Sequence, residues 1–373
     1  MTTAVLCGPE HRDEWNDFAA FVPGGDVLQS YEWGELKGRG EWTPIRLAMK
    51  EGGRIVSGMS LLKRPLPLPG KSILYASRGP LLRDWTAPRL GELIGAARKT
   101  AREHGAILIK VDPALSDEST AGLLREEGFV PVGGKDGFGG TQPRCVMVLD
   151  LHPTEEELLA GFKPKWRYNI RLAERKGIVV ESHCDKDRLP EFYDLLTVTA
   201  QRDGFLVRSF DYFSAMWDLL VPNGMGKLFL ARYEDEPVAG AFCTLFGPVC
   251  CYTYGASANR HREKMPNHLV QWTMIRWARD HGYTVYDFRG VSPRRADPSD
   301  DKLAGLNRFK EGFGAEFVEY IGEYDLPLSP LWYPLWTRAM PMARNLFKRT
   351  RRHVTPANES SESDVRAPGG GGV

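Results

Sequence analysis

AREHGAILIKVD (Ala101–Asp112) returns later in the chain as ARDHGYTVYDFR (Ala278–Arg289). Each copy reads as the end of an amphipathic helix, a His-Gly stop and a short buried strand. Working outward, LAMKEGGRIVSG (Leu47–Gly58) reappears as LARYEDEPVAG (Leu230–Gly240), with one residue fewer in the turn. Both matches come in the same order, with space between them for a third strand. Each copy is thus read as a β–β–β–α–β unit and the chain as a duplication of it. Chance recurrence of common helix–strand patterns is the competing reading. A length of 373 residues favours two units over one core.

The first unit carries a helix near Arg12–Phe21 and a hairpin within Arg46–Lys63 that turns at Glu51-Gly52-Gly53. A strand at Ser72–Ala76, a helix over Arg89–His104 stopped by Gly105 and a buried strand at Ile107–Val111 follow. A helix over Glu118–Glu127 and a strand through Cys145–Leu149 are expected to finish this half. The second half starts at Asp150, where Thr154 and Glu157 form a capping box. It continues through a helix over Leu189–Arg202, a helix ending at Leu220, and strands at Leu228–Tyr233 and Val238–Phe246. In the strand CCYTYGAS, period two puts Tyr252 and Tyr254 on one face. Asn267–His281 is a helix, Val285–Phe288 a strand and Gly290–Asp301 a polar loop. The domains are therefore read as 1–149 (completed by 318–345) and 150–317, with a basic and then disordered tail over 346–373.

Composition sets limits. The formal charge of +1 gives no global attraction to nucleic acid or membrane, so any such binding must come from local patches. Six cysteines without a CxxC pair read as reduced core residues of a cytoplasmic protein. The histidines show no ligand spacing, and no metal site or cofactor is expected. No signal peptide and no run of about eighteen apolar residues is seen.

One local patch stands out. In FKPKWRYNIRLAERKG (Phe162–Gly177), Lys163, Arg167, Arg171 and Arg175 recur every fourth residue and form one basic stripe. Phe162, Trp166, Ile170 and Ala173 form the neighbouring apolar stripe on which such a helix docks. The basic stripe suits phosphate, and an ordinary solvated face is the alternative.

QSYEWGELK, KPKWRYNIRLAERKG, TAQRDGF, YGAS, QWTMIRWA, YDFRG and FKEGFG together resemble the FemABX family of peptidoglycan-bridge aminoacyltransferases. The likeness runs from about Gln29 to Tyr324. It implies an α/β protein with mixed sheets, built as two tandem GNAT-like acyltransferase domains around a cleft. It also implies transfer of Gly, Ala or Ser from aminoacyl-tRNA to the stem-peptide amine of lipid II or UDP-MurNAc-pentapeptide. Staphylococcal members carry a coiled-coil arm that has no counterpart between Tyr212 and Lys227. The chain is thus more similar to armless, FemX-like members.

The resemblance further implies that Lys37, Arg208 and Tyr212 hold the acceptor's pyrophosphate, and that the Phe309 carbonyl and the Lys310 ammonium sit at the reacting amine and the oxyanion. Two glycines after Lys310 would let backbone approach a ligand. A solvent-exposed lysine in a turn is the alternative. Asp112 ends a strand at the expected cleft and either contacts the stem peptide, relays a proton, or simply caps an Asp-Pro turn. Tyr252 and Tyr254 either touch the acceptor or pack. Lys163, Arg167, Arg171 and Arg175, with Arg294, Arg295 and Arg308, are the expected tRNA contacts. The Trp/Arg-rich segment Leu331–His353 reads as an interfacial helix at the inner membrane surface or as a helix packed on the first domain.

Transfer from an activated ester needs mainly positioning and oxyanion stabilisation, so no nucleophile is expected. Two rivals remain. An acyl-coenzyme A enzyme needs an Arg/Gln-x-x-Gly-x-Gly/Ala loop at a helix start, which PNGMGK and RFKEGFGA both miss. A non-catalytic binder of precursor or tRNA would not need Lys310.

Overall fold

Hydrophobic periodicity sets the elements of the first half. The computed structural model describes residues 2–132, 141–293 and 304–337. After β1 (Thr3–Leu6), helices α1 (Arg12–Phe21) and α2 (Tyr31–Gly38) precede the hairpin of β2 (Thr43–Glu51) and β3 (Arg54–Pro65). Its turn holds Gly52 and Gly53 at φ 55° and 80°, a region glycine enters without a Cβ penalty. β4 (Ser72–Ala76) pairs antiparallel with β3, and the short β5 (Leu81–Leu82) also joins β3. Helix α3 (Ala87–Glu103) then buries Leu90, Leu93, Ile94, Ala97 and Ala101 at helical spacing. It returns the chain to β6 (Ala106–Val111), parallel to β4. Helix α4 (Glu118–Glu126) and β7 (Val130–Val132) follow.

The second half repeats the plan after β8 (Cys145–Asp150), α5 (Glu155–Gly161), α6 (Pro164–Arg175), β9 (Val179–Glu181), α7 (Leu189–Asp203) and α8 (Phe210–Leu220). The hairpin of β10 (Gly226–Tyr233) and β11 (Glu236–Phe246) leads to β12 (Val249–Ser257), helix α9 (Pro266–Asp280) and β13 (Val285–Gly290), with β12 parallel to β13. The β–β–β–α–β unit read from the repeat is thus present twice. The β12–β13 pairing stops at Cys251 and Asp287 although both strands run on, so the sheet splays there. Helix α10 (Ala304–Glu311) and β14 (Glu316–Glu319) close the described part of this unit, and β15 (Glu323–Pro327) follows.

The strand order corrects the expected boundary. The first sheet runs β1-β2-β3-β4-β6-β15-β7 and the second β14-β8-β13-β12-β11-β10-β9. Strand Cys145–Asp150 therefore opens the second half instead of finishing the first, because its apolar residues pair with β13 and β14. The return to the first sheet is made by β15, while β14 stays in the second. Residues 329–373 form a separate unit, described over 329–337 as a helix over 332–337 capped by Ser329. The remainder of the Trp/Arg segment, the tail, Arg294 and Arg295 lie outside the described residues.

The halves share a core. Trp15, Phe18, Val27, Leu28, Trp33 and Leu36 of the first pack in one cluster with Phe192, Leu196, Phe213, Met216, Trp217 and Phe242 of the second. Fully buried Phe213 is ringed by Phe192, Tyr193, Tyr212 and Tyr254. Aromatic side chains of this size dominate core energetics. Phe213→Ala is expected to cost about 3–5 kcal/mol and to lower the stability of both halves in one transition. Denaturant unfolding followed by far-ultraviolet circular dichroism and by tryptophan fluorescence should give coincident midpoints.

Candidate functional site

The shared core sets α2 beside α8. Ser30 caps α2 by accepting the Trp33 amide at 3.1 Å, and Ser209 caps α8 by accepting the Tyr212 amide at 3.4 Å. Trp33 and Leu36 turn into the core, which leaves Lys37 in the last turn of α2 at the mouth of a pocket of about 570 Å³. Arg39, Trp42, Arg208 and Tyr212 also line this pocket. Lys37 Nζ donates to Tyr212 Oη at 3.1 Å, and the Arg208 guanidinium stacks over the Tyr212 ring at 5.0 Å. Lys37 and Arg208, 171 positions apart in sequence, thus form one cationic wall.

Burial, and secondarily the charge of Arg208, lower the Lys37 pKa to about 8. Burial also keeps Tyr212 Oη protonated well above the ordinary phenol range. Among the described residues neither Lys37 nor Arg208 forms an ion pair. Two cations held together without a counterion favour an anionic ligand, since an added negative charge relieves their repulsion.

Lys310 lies in the last turn of α10, 3% exposed, which rules out the alternative of an exposed lysine in a turn. Its Nζ donates to the Gly290 carbonyl at 2.6 Å and the Arg289 carbonyl at 3.2 Å. Arg289 sits at φ 61°, a left-handed conformation uncommon for a side chain, and its amide donates to Asp287 at 2.6 Å. Burial lowers the Lys310 pKa to about 8, against the upward pull of Asp287. Asp26, from the first half, lies 3.6 Å from the Arg289 guanidinium and 3.9 Å from that of Arg78. None of Asp26, Arg78, Asp287 or Arg289 was expected at the site. Their association is non-local, and no spacing announces it.

Tyr252 and Tyr254 do not share a face. Phe242 pairs with Tyr254 and Cys243 with Tyr252, so Thr253 is an extra residue in a bulge, and a one-residue bulge reverses the alternation. Tyr254 packs on the shared core and Tyr252 on the core of the second half. Burial raises the Tyr254 pKa, opposed by the Tyr212 hydroxyl and by the charges of Arg208 and Arg289. Phe309 is near Lys310, but its carbonyl accepts Trp166 Nε1–H at 2.9 Å. The glycine expected to admit a ligand admits that indole instead: a Cβ on Gly312 would fall 2.0 Å from the Trp166 ring.

The family model for the FemAB family matches residues 11–224 and 223–340. The chain belongs to the FemAB family. It is 30% identical to a lipid II:glycine glycyltransferase of Staphylococcus epidermidis over 86% of this chain and 93% of that one. Identity to the Staphylococcus aureus protein of the same name is 29%, over 88% and 94%. The first match spans 393 positions, more than this chain's 373 residues, so these FemAB relatives carry stretches without a counterpart here. The crystal structure of FemX superposes with a TM-score of 0.82 at 28% identity, over 89% of this chain and 99% of that one. A tandem GNAT protein from the clavulanic acid pathway, at 14% identity and a TM-score of 0.54, shares the fold.

Other FemAB-type expectations are distributed unevenly. Asp112 is buried, with Oδ2 accepting Tyr75 Oη at 2.7 Å and Oδ1 accepting the Arg78 amide at 2.6 Å. It braces the Arg78 turn behind the pocket wall, where Tyr75 meets Trp42 at 6.4 Å. In the basic stripe, Lys163 lies 3.6 Å from Glu311. The Arg167 guanidinium caps α5, donating to the Phe162 carbonyl at 2.5 Å and the Ala160 carbonyl at 3.1 Å. Arg171 and Arg175 are exposed. Neither glycine-bearing stretch weighed for coenzyme A opens a helix, since Gly226 starts β10 and Gly312 follows α10.

Two tests follow from this geometry. Gly312→Ala should displace Trp166 and cost about 1–3 kcal/mol, read as a lower thermal midpoint. Burial, opposed by Arg78, raises the Asp112 pKa from 3.8 to about 6. The folded value is the higher one, so its stabilising contribution is complete below pH 4 and fades as pH rises through about 6. Asp112→Asn should remove that dependence, gaining about 3 kcal/mol on wild type between pH 4 and pH 7 in denaturant titrations at each pH.

Proposed function

We propose that this chain transfers an amino acid from aminoacyl-tRNA to the stem-peptide amine of lipid II, at the inner face of the cell membrane. The observation that carries this reading is the convergence of Lys37 and Arg208 on one pocket where, among the described residues, neither is ion-paired: of the carboxylates on its rim, Glu41 pairs with Arg64 and Asp211 with neither cation. Such a pair suits a pyrophosphate, whose oxygens accept charge-assisted hydrogen bonds. The FemAB relatives named for lipid II and glycine make lipid II the preferred acceptor and glycine the first donor to try.

In this reading the acceptor amine attacks the ester carbonyl of the aminoacyl-tRNA. A C–N bond forms, the ester C–O bond breaks, and the ribose hydroxyl leaves with a proton. Lys310, charged at neutral pH and buried beside Asp287, faces the developing oxyanion, where a fixed cation is worth most. Tyr254 lines the acceptor's path, and Asp112 positions the Arg78 turn. Lys163, Arg171 and Arg175 contact tRNA phosphates, a binding mode that weakens steeply with salt.

Transfer from radiolabelled Gly-, Ala- and Ser-tRNA to lipid II and to UDP-MurNAc-pentapeptide tests the proposal. Lys37→Ala or Arg208→Ala should raise the acceptor KM about tenfold or more with a smaller change in kcat. Lys310→Ala should lower kcat by about 100- to 1000-fold. Absence of transfer from every aminoacyl-tRNA by the folded protein would reject the proposal. Coenzyme A found in the purified protein would favour an acyl-coenzyme A enzyme instead.

A further inference from the structure

Between α7 and α8 the chain runs Gly204-Phe205-Leu206-Val207-Arg208-Ser209. Both ends are fixed. Gly204 closes α7 at φ 75°, with its amide on the Ala200 carbonyl at 2.8 Å. Val207 packs on the shared core, Tyr193 Oη donates to the Arg208 carbonyl at 3.1 Å, and Ser209 caps α8. Between these anchors Leu206 is 100% exposed and Phe205 46% exposed. A single exposed leucine is ordinary. A braced loop that holds a Phe-Leu pair outward, two residues from a cation of the pocket, calls for an apolar partner.

We propose that Phe205 and Leu206 insert into the surface of the lipid bilayer. This rests on the lipid-linked acceptor of the preceding reading and adds how the protein reaches it. A polyprenyl pyrophosphate keeps its phosphates at the membrane surface while its chain enters the hydrocarbon. Groups that hold those phosphates must come to the interface, and the residues beside them then meet acyl chains. Leu206 and Arg208 occupy those two positions in a single loop. Charge adds little, because Arg202 is paired with Asp203 at 2.9 Å and Asp211 stands on the same rim as Lys37, Arg39 and Arg208. Apolar insertion is therefore the main attraction, and salt should weaken it only modestly.

The test uses the full chain and vesicles of mixed phosphatidylglycerol and phosphatidylcholine. The double variant Phe205→Ser, Leu206→Ser should keep the wild-type thermal midpoint, since neither side chain is buried, and should bind vesicles about tenfold or more weakly in sedimentation. An environment-sensitive dye on Leu206→Cys, in a Cys184→Ser background, should shift to the blue when vesicles are added. With lipid II in vesicles the double variant should show a raised KM, and with a water-soluble short-prenyl analogue it should match wild type. Unchanged vesicle binding by the double variant, or a dye that stays in water, overturns the proposal; a loop that serves tRNA or a protein partner would give that result. The vesicle and dye readouts need no turnover. Insertion without transfer to any acceptor would reject the acceptor reading alone, and transfer without insertion would reject the loop proposal alone.

Discussion

The core that α1 and α2 share with α7 and α8 is the constraint on which the site depends. Two sheets in one chain could each fold around a separate core and remain free to move. Here Trp15, Phe18, Leu28 and Trp33 pack with Phe192, Phe213, Trp217 and Phe242 in one cluster. Burial on this scale is the largest favourable term available to the chain. It fixes the end of α2 against the start of α8, and so keeps Lys37 within hydrogen-bonding distance of Tyr212. The cationic wall is a product of packing, and its precision is that of a protein interior.

The buried and half-buried polar groups behave in the opposite sense. Lys310, Arg289, Arg78, Asp287, Asp26 and Asp112 draw charge into a poorly solvated region where each must be matched. The matching is loose: Arg78 Nε and Arg289 Nη1 face the Asp26 carboxylate at 3.9 and 3.6 Å, beyond hydrogen-bonding distance, and have no hydrogen-bond partner among the described residues. Proteins accept such costs mainly at functional sites. The splay of β12 from β13 beyond Cys251 and Asp287 provides the space, and the left-handed Arg289 turns its own carbonyl and that of Gly290 toward Lys310.

Much of this is legible in the sequence. Leu47–Gly58 and Leu230–Gly240 show their hairpins through alternation and turn residues, and the repeat orders the elements, because these are local signals. Family resemblance points to Lys37, Arg208 and Lys310, and the structure brings Lys37 together with Arg208. What could not be read is non-local or singular. The bulge at Thr253 moves Tyr252 to the other face with no change in composition. Gly312 is small because an indole 146 positions earlier lies on it, and sequence around FKEGFG does not carry that fact. The pairing of β8 with β13 and β14 depends on partners far along the chain, so a boundary drawn from local pattern fell on the wrong side of that strand.

The strand order has a consequence for how the protein is made. Among the described strands of the first sheet, β7 is joined to β6 through β15 alone, which is synthesised almost two hundred residues later. Until Glu323–Pro327 emerges from the ribosome, the edge of β6 is open and β7 has nothing to pair with. Cutting the chain between its repeats would leave the amino-terminal piece with that same open edge, an invitation to pair with another copy. The two halves are therefore not divisible at the repeat boundary: the first sheet is sealed by β15, the last described strand.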